Sequence, residues 1–204
     1  EIMSYRKEKK YRLTINEFVL MKKTLLDKGM VALYDTRKVN SVYFDNFSHD
    51  MFSQSEEGVL PRKKIRLRWY ENNNDFTLEK KISSIEGRFK IVNKSKNYKN
   101  MNEVINATLF EKEYGTLYPS LLVSYDRTYY TLNKMRITFD FNINYKNLRL
   151  NSLINYIDPE RVVEIKTPID CGDDFIKKSI PYPTSRFSKY SRGLLISQQN
   201  LAEF

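Results

Sequence analysis

The stretch Lys64-Ile65-Arg66-Leu67-Arg68-Trp69-Tyr70 constrains the fold more than any other part of the chain. Side chains of an extended strand point alternately to opposite faces. Lys64, Arg66 and Arg68 therefore share one face, and Ile65, Leu67 and Trp69 share the other. After the polar residues 71–75 the pattern returns: Thr77, Glu79 and Lys81 on one face, Phe76, Leu78 and Ile82 on the other. The two runs read as a β-hairpin with one apolar face and one face of fixed charge. Such charges ordinarily meet water. The sharper alternative is that they line an enclosed site.

The same alternation recurs along the chain. Strands are predicted over 4–13, 39–45, 85–93, 120–132, 135–143 and 161–167. In the fifth, Arg136, Thr138, Asp140 and Asn142 alternate with Ile137, Phe139, Phe141 and Ile143. Thr14-Ile15-Asn16-Glu17 has the form of a capping box. It opens a helix that carries Phe18, Leu20, Met21, Leu25 and Leu26 and stops near Gly29. Residues 48–58 read as a short helix or turn. Further helices are predicted over 102–114 and, despite Gly193, over 188–202. Two architectures suit strands of this kind. One is an open antiparallel sheet with its charged face in water. The other is a closed barrel with the charges inside and helices packed outside. Several arginines beside isolated carboxylates favour the barrel, because phosphate and metal together call for that mixture.

A chain of 204 residues suffices for one domain, 1–204, with its own core. A net charge of +10 points to an anionic partner. The lone Cys171 excludes an internal disulfide and a multi-cysteine metal site, and the lone His49 argues against a zinc centre or a His-based triad. His49 itself is expected in an exposed loop. No apolar run approaches the ~20 residues that span a bilayer. No signal peptide is legible, so a cytoplasmic location is expected.

Taken in order, the charged strands resemble the CYTH-like triphosphate tunnel metalloenzyme superfamily and, more narrowly, its VTC domain, the polyphosphate polymerase module. Glu8-Lys9-Lys10-Tyr11, Ile65-Arg66-Leu67-Arg68-Trp69-Tyr70, Leu78-Glu79-Lys80-Lys81, Tyr125-Asp126-Arg127-Thr128, Arg136-Ile137-Thr138-Phe139-Asp140, Glu164-Ile165-Lys166 and Phe187-Ser188-Lys189-Tyr190 carry the likeness. The resemblance implies an α+β fold: a closed antiparallel eight-stranded β-barrel, the triphosphate tunnel, with a charged lumen and helices packed outside. It implies phosphate binding by Lys10, Arg66, Arg68, Lys81, Arg88, Arg127, Arg186 and Lys189. Arg66, Arg68, Lys81 and Arg127 would form the catalytic set, and Glu164 would hold Mn²⁺ or Mg²⁺. The implied reaction moves the terminal phosphoryl of ATP onto a polyphosphate chain. Expected partners are ATP, polyphosphate, pyrophosphate or phosphate, and a separate membrane partner lies outside what this chain can reveal. Nucleic acid is not expected, because duplex DNA needs an exposed basic surface. Two departures stand out. Arg6-Lys7-Glu8-Lys9-Lys10 lacks the first carboxylate of the Glu-x-Glu-x-Lys opening, which speaks against the triphosphatase branch. Glu86-Gly87-Arg88 replaces a Lys-x-Arg. The alternatives are a non-catalytic polyphosphate or nucleoside triphosphate binding module, or a triphosphatase. Asp140 is expected to pair with Arg136, and Glu79 to orient the lysines.

Overall fold

Alternation places the strands, and the computed structural model describes residues 6–71, 73–95, 98–150, 154–168, 176–177 and 180–199. In chain order the elements are β1 (Arg6–Leu13), α1 (Ile15–Asp27), β2 (Val31–Asp45), α2 (Asp50–Glu57), β3 (Arg62–Tyr70), β4 (Asn73–Ser83) and β5 (Arg88–Lys94). There follow α3 (Met101–Ile105), β6 (Leu109–Glu111), β7 (Gly115–Leu132), β8 (Met135–Asn147), β9 (Tyr156–Ile157), β10 (Arg161–Pro168) and α4 (Lys189–Gln199). The strands pair in the order β1-β10-β8-β7-β2-β3-β4-β5, with β6 on β7 and β9 on β8. Every pairing whose register is described is antiparallel. The fold is thus α+β and dominated by antiparallel sheet.

The expected closed eight-stranded barrel is not what the strands form. Their path has two ends, β1 and β5, and among the described residues no ladder joins them. Alternation tells which face a side chain takes; it carries no information on whether the first and last strands meet.

The chain divides into two compact units, with β2, β7 and β8 contributing to both. The first comprises residues 1–38, 125–143 and 158–187. Here the capping box forms as read: the Glu17 amide donates to the Thr14 hydroxyl at 3.3 Å, and the Thr14 amide to the Glu17 carboxylate at 2.8 Å. The helix so started lays Met21 and Leu25 against Tyr11, Leu13, Ile137, Phe139, Val163 and Ile165. Phe18 meets Phe139 edge to face at 5.2 Å. Burying each such side chain contributes about 1.5–3 kcal/mol. Leu20 and Leu26 stay exposed.

The second unit comprises 39–124, 144–157 and 188–204. Ile65, Leu67, Trp69 and Phe76 pack with Val42 and Phe44 beneath Met51 of α2 and Val104 of α3. On the opposite, charged face lies α4. Its Tyr190 stacks on Tyr43 at 5.1 Å, and Tyr43 stands directly across from Arg66. α4 is therefore an exception to the expected outer cover, because periodicity shows that a helix has an apolar side without naming the sheet face it meets.

Two further elements differ from expectation. β2 begins at Val31, and its residues 31–38 are exposed on both faces, which erases the alternation a strand normally displays. The helix predicted over 102–114 is α3 followed by β6, whose residues pair with the start of β7.

Candidate phosphate-binding site

In the second unit the register turns the alternation of β3 into a grid. Lys64 lies opposite Lys81, Arg66 opposite Glu79, and Arg68 opposite Thr77. On the other side of β3, Tyr43 and Ser41 oppose Arg66 and Arg68. On β5, Lys90 opposes Lys81. Lys64, Lys81 and Lys90 thus form one row of like charge across three strands, an arrangement that is unfavourable in itself.

Glu79 is the centre of this face. Its carboxylate accepts from Arg66 Nε at 2.7 Å and Lys90 Nζ at 2.7 Å, with Arg68 Nη1 at 3.4 Å. Burial would raise the Glu79 pKa, but the charges of Arg66, Arg68 and Lys90 hold it far below the ordinary glutamate range. Arg66 also donates to the Tyr43 hydroxyl at 2.9 Å. Lys64 donates to Ser188 Oγ at 2.7 Å, immediately before α4. Lys189 opens α4 and is half-buried, whereas Arg88 is exposed at the start of β5. Lys64, Arg66, Arg68 and Lys81 are brought together on one face, and Arg88 stands at its margin.

In the first unit a second charged grid forms across β1, β10 and β8. Lys10 opposes Glu164, and Glu8 opposes Lys166. Glu164 in turn opposes Thr138, and Lys166 opposes Arg136. Lys166 Nζ lies 2.9 Å from Glu164 and 3.9 Å from Glu8. Lys10 Nζ lies 3.2 Å from Glu8 and donates to the Phe187 carbonyl at 3.0 Å. Arg186, beside that carbonyl, is exposed. Asp140 does not take Arg136 as its partner. It grips Arg127 through two parallel hydrogen bonds of 2.6 and 2.7 Å, because β7 carries the guanidinium onto the same face. Burial would lower the Arg127 pKa, yet Asp140, with help from Tyr125 and Glu164, drives it well above its ordinary value.

Among the described residues no three or more His, Cys, Asp or Glu side chains gather as a metal cage. The donors at Glu164 are oxygens nonetheless. Glu8 shares Lys166 with it, and the Thr138 hydroxyl across the ladder is buried with no hydrogen-bond partner. One or two carboxylates suit a hard divalent cation that draws its remaining ligands from phosphate oxygens and water. Glu164, with Glu8 nearby, fits that kind of site.

Two features were not legible beforehand. Tyr43 reads in sequence as an ordinary strand residue, and only its register opposite Arg66 gives it a role. His49 is not an exposed loop residue. It precedes α2 in a left-handed conformation, φ 59°, and its Nε2 lies 3.1 Å from buried Ser120 Oγ. Burial, reinforced by Arg149, lowers its pKa.

Comparison with known proteins follows the same lines. A search of curated proteins gave no match. A proposed adenylate cyclase from Bacillus halodurans is similar in structure, with a TM-score of 0.62, 13% identity, and coverage of 91% of this chain and 94% of that one. A protein from Pyrococcus horikoshii matches with a TM-score of 0.57 and 17% identity over 95% of this chain and 99% of its own. A proposed adenylyl cyclase from Hippeastrum with a dominant triphosphatase activity matches with a TM-score of 0.52 and 16% identity over 92% of this chain and 94% of its own. At these identities the likeness is one of fold. The VTC domain family model matches residues 5–197, nearly the whole sequence. By that match the chain belongs to the VTC domain family.

Proposed function

We propose that this domain is a phosphotransferase of the polyphosphate polymerase type. The observation that carries the reading is the row Lys64, Lys81 and Lys90 beside Arg66 and Arg68. Like charges directly across a ladder repel. A chain of phosphates relieves that repulsion, with each guanidinium able to hold two oxygens at once. Family membership supports the same substrate class.

In this reading Arg66, Arg68 and Lys81 bind phosphate oxygens, and Glu79 fixes the guanidinium forks before substrate arrives. Lys10 and Arg127 engage phosphate in the other unit, Arg127 with its plane set by Asp140. Arg88 and Lys189 add charge in the unit of Arg66 and Arg68, and Arg186 in the unit of Lys10 and Arg127. Glu164 would hold Mn²⁺ or Mg²⁺, which supplies charge neutralisation on the phosphates when bound. The terminal phosphoryl of ATP passes to a terminal oxygen of the acceptor chain, and ADP leaves. Such a transfer asks the protein for alignment and charge stabilisation rather than a nucleophile of its own. No helix among the described residues is long and apolar enough to cross a membrane. A membrane partner for the product and a cytoplasmic setting belong to the proposal.

Incubation with ATP, Mn²⁺ and a pyrophosphate primer should give long polyphosphate. Free phosphate would instead assign a triphosphatase, and tight polyphosphate binding without turnover a binding module. Arg66→Ala with Arg68→Ala should lower polyphosphate affinity at least tenfold, since each charge-assisted contact contributes about 1.5–3 kcal/mol. An unchanged affinity would overturn the phosphate-binding assignment.

A further inference from the structure

The exposed first half of β2 carries a feature that the phosphate contacts leave unexplained. Tyr34 is 56% exposed, a large aromatic side chain standing largely in solvent. It is not loose. The guanidinium carbon of Arg37 lies 4.5 Å from its ring centroid, and the Tyr129 ring meets it edge to face at 5.7 Å. Arg37 also lies 5.6 Å from the centroid of Tyr129. Tyr129 in turn stands 6.0 Å from the guanidinium carbon of Arg127. Within one unit, then, buried Tyr129 joins the Arg127 guanidinium to an exposed tyrosine with an exposed arginine over its ring. The two steps, 5.7 Å from the Tyr34 ring to the Tyr129 ring and 6.0 Å from the Tyr129 ring to Arg127, put the two ends no farther apart than their sum.

We propose that Tyr34 and Arg37 form a stacking platform for the nucleobase of a nucleoside triphosphate whose phosphates Arg127 engages. The proposal rests on the phosphate-binding reading above and adds to it the part of the nucleotide that carries no charge. A planar base gains dispersion and electrostatic attraction on an aromatic face, and a guanidinium plane stacks in the same way. Pre-organisation of Arg37 against two rings lowers the entropy lost when the base arrives. Every base offers a π-face, so the platform tolerates adenine and guanine alike. Its work is retention of a nucleotide rather than choice among nucleotides.

The deciding experiment compares ATP with ribose 5-triphosphate, which has the same ester and charge but no base. Both are titrated calorimetrically, with the same divalent cation, into the wild type, Tyr34→Ala and Arg37→Ala. The wild type should bind ATP about tenfold more tightly than ribose 5-triphosphate, the size expected for one stacked base. Tyr34→Ala should bring the two affinities together by weakening ATP alone, and Tyr34→Phe should restore the difference. Equal wild-type affinities would overturn the platform and leave the phosphate reading standing; this comparison needs no variant to fold. Equal weakening of both ligands by Tyr34→Ala would show that the tyrosine only braces the strand. A wild type that binds neither ligand would overturn the platform and the phosphate reading together.

Discussion

Glu79 shows how one residue can hold a positively charged face ready. It is 6% exposed and touches Arg66, Arg68 and Lys90. Its pKa is depressed in the folded protein relative to the ordinary 4.5. A group of that kind contributes stability that is fully present above its unfolded value and is lost as the pH falls below it. Stability should therefore decline from about pH 4.5 downward. Glu79→Gln should flatten that decline and, at pH 7, lower stability by about 2 kcal/mol, because three cations lose their counter-charge. Urea denaturation at pH 3.5, 5 and 7 measures both. An identical pH dependence in the variant would remove Glu79 from this role.

At the scale of elements, α4 is the one whose seat depends on close approach. Gly193 lies in its middle, where glycine is ordinarily unfavourable by about 1 kcal/mol relative to alanine. A Cβ there would come within 2.5 Å of Tyr145 Cδ1 and 2.6 Å of Leu121 Cδ2, so the helix sits too close for any side chain. Gly193→Ala should accordingly destabilise the protein by about 1–3 kcal/mol in spite of its better helix propensity. Thermal unfolding measures it, and a stabilised variant would contradict the packing. The sequence foretold α4 but not this contact, nor that Tyr190 would stack on Tyr43 and reach Asp45 at 2.7 Å. β3, β4, β8 and β10 were legible because each sets apolar residues in alternation with polar or charged ones, which gives the period of two. The first half of β2 was not, since residues 31–38 are exposed on both faces and obey no such period. The candidate site was legible in the same measure. Arg66 and Arg68 declare themselves by alternation, whereas the pairing of Arg127 with Asp140 and the company of Tyr43 depend on register between distant strands. Register is set by cross-strand packing, which single-strand periodicity does not record.

For the molecule as a whole, the net charge of +10 couples stability to whatever anion is bound. A ligand that binds only the folded state raises stability by RT ln(1 + [L]/Kd). Inorganic tripolyphosphate at a hundred times its Kd should add about 2.7 kcal/mol and raise Tm. The shift should shrink as sodium chloride rises from 0.05 to 0.5 M, because salt screens exposed charge. A Tm indifferent to tripolyphosphate at low salt would show that the cations serve no polyanion. The two ends of the strand path carry a consequence of another sort. β1 bears Lys7, Lys9, Lys10 and Arg12, and β5 bears Arg88, Lys90 and Lys94. Open strand edges are where sheets of separate molecules fuse into aggregates, and lysine is the residue that most often guards them. A second copy approaching either edge must bring its own backbone alongside a column of positive charge. In a crowded solution, then, the charge on these edge strands holds neighbouring copies apart.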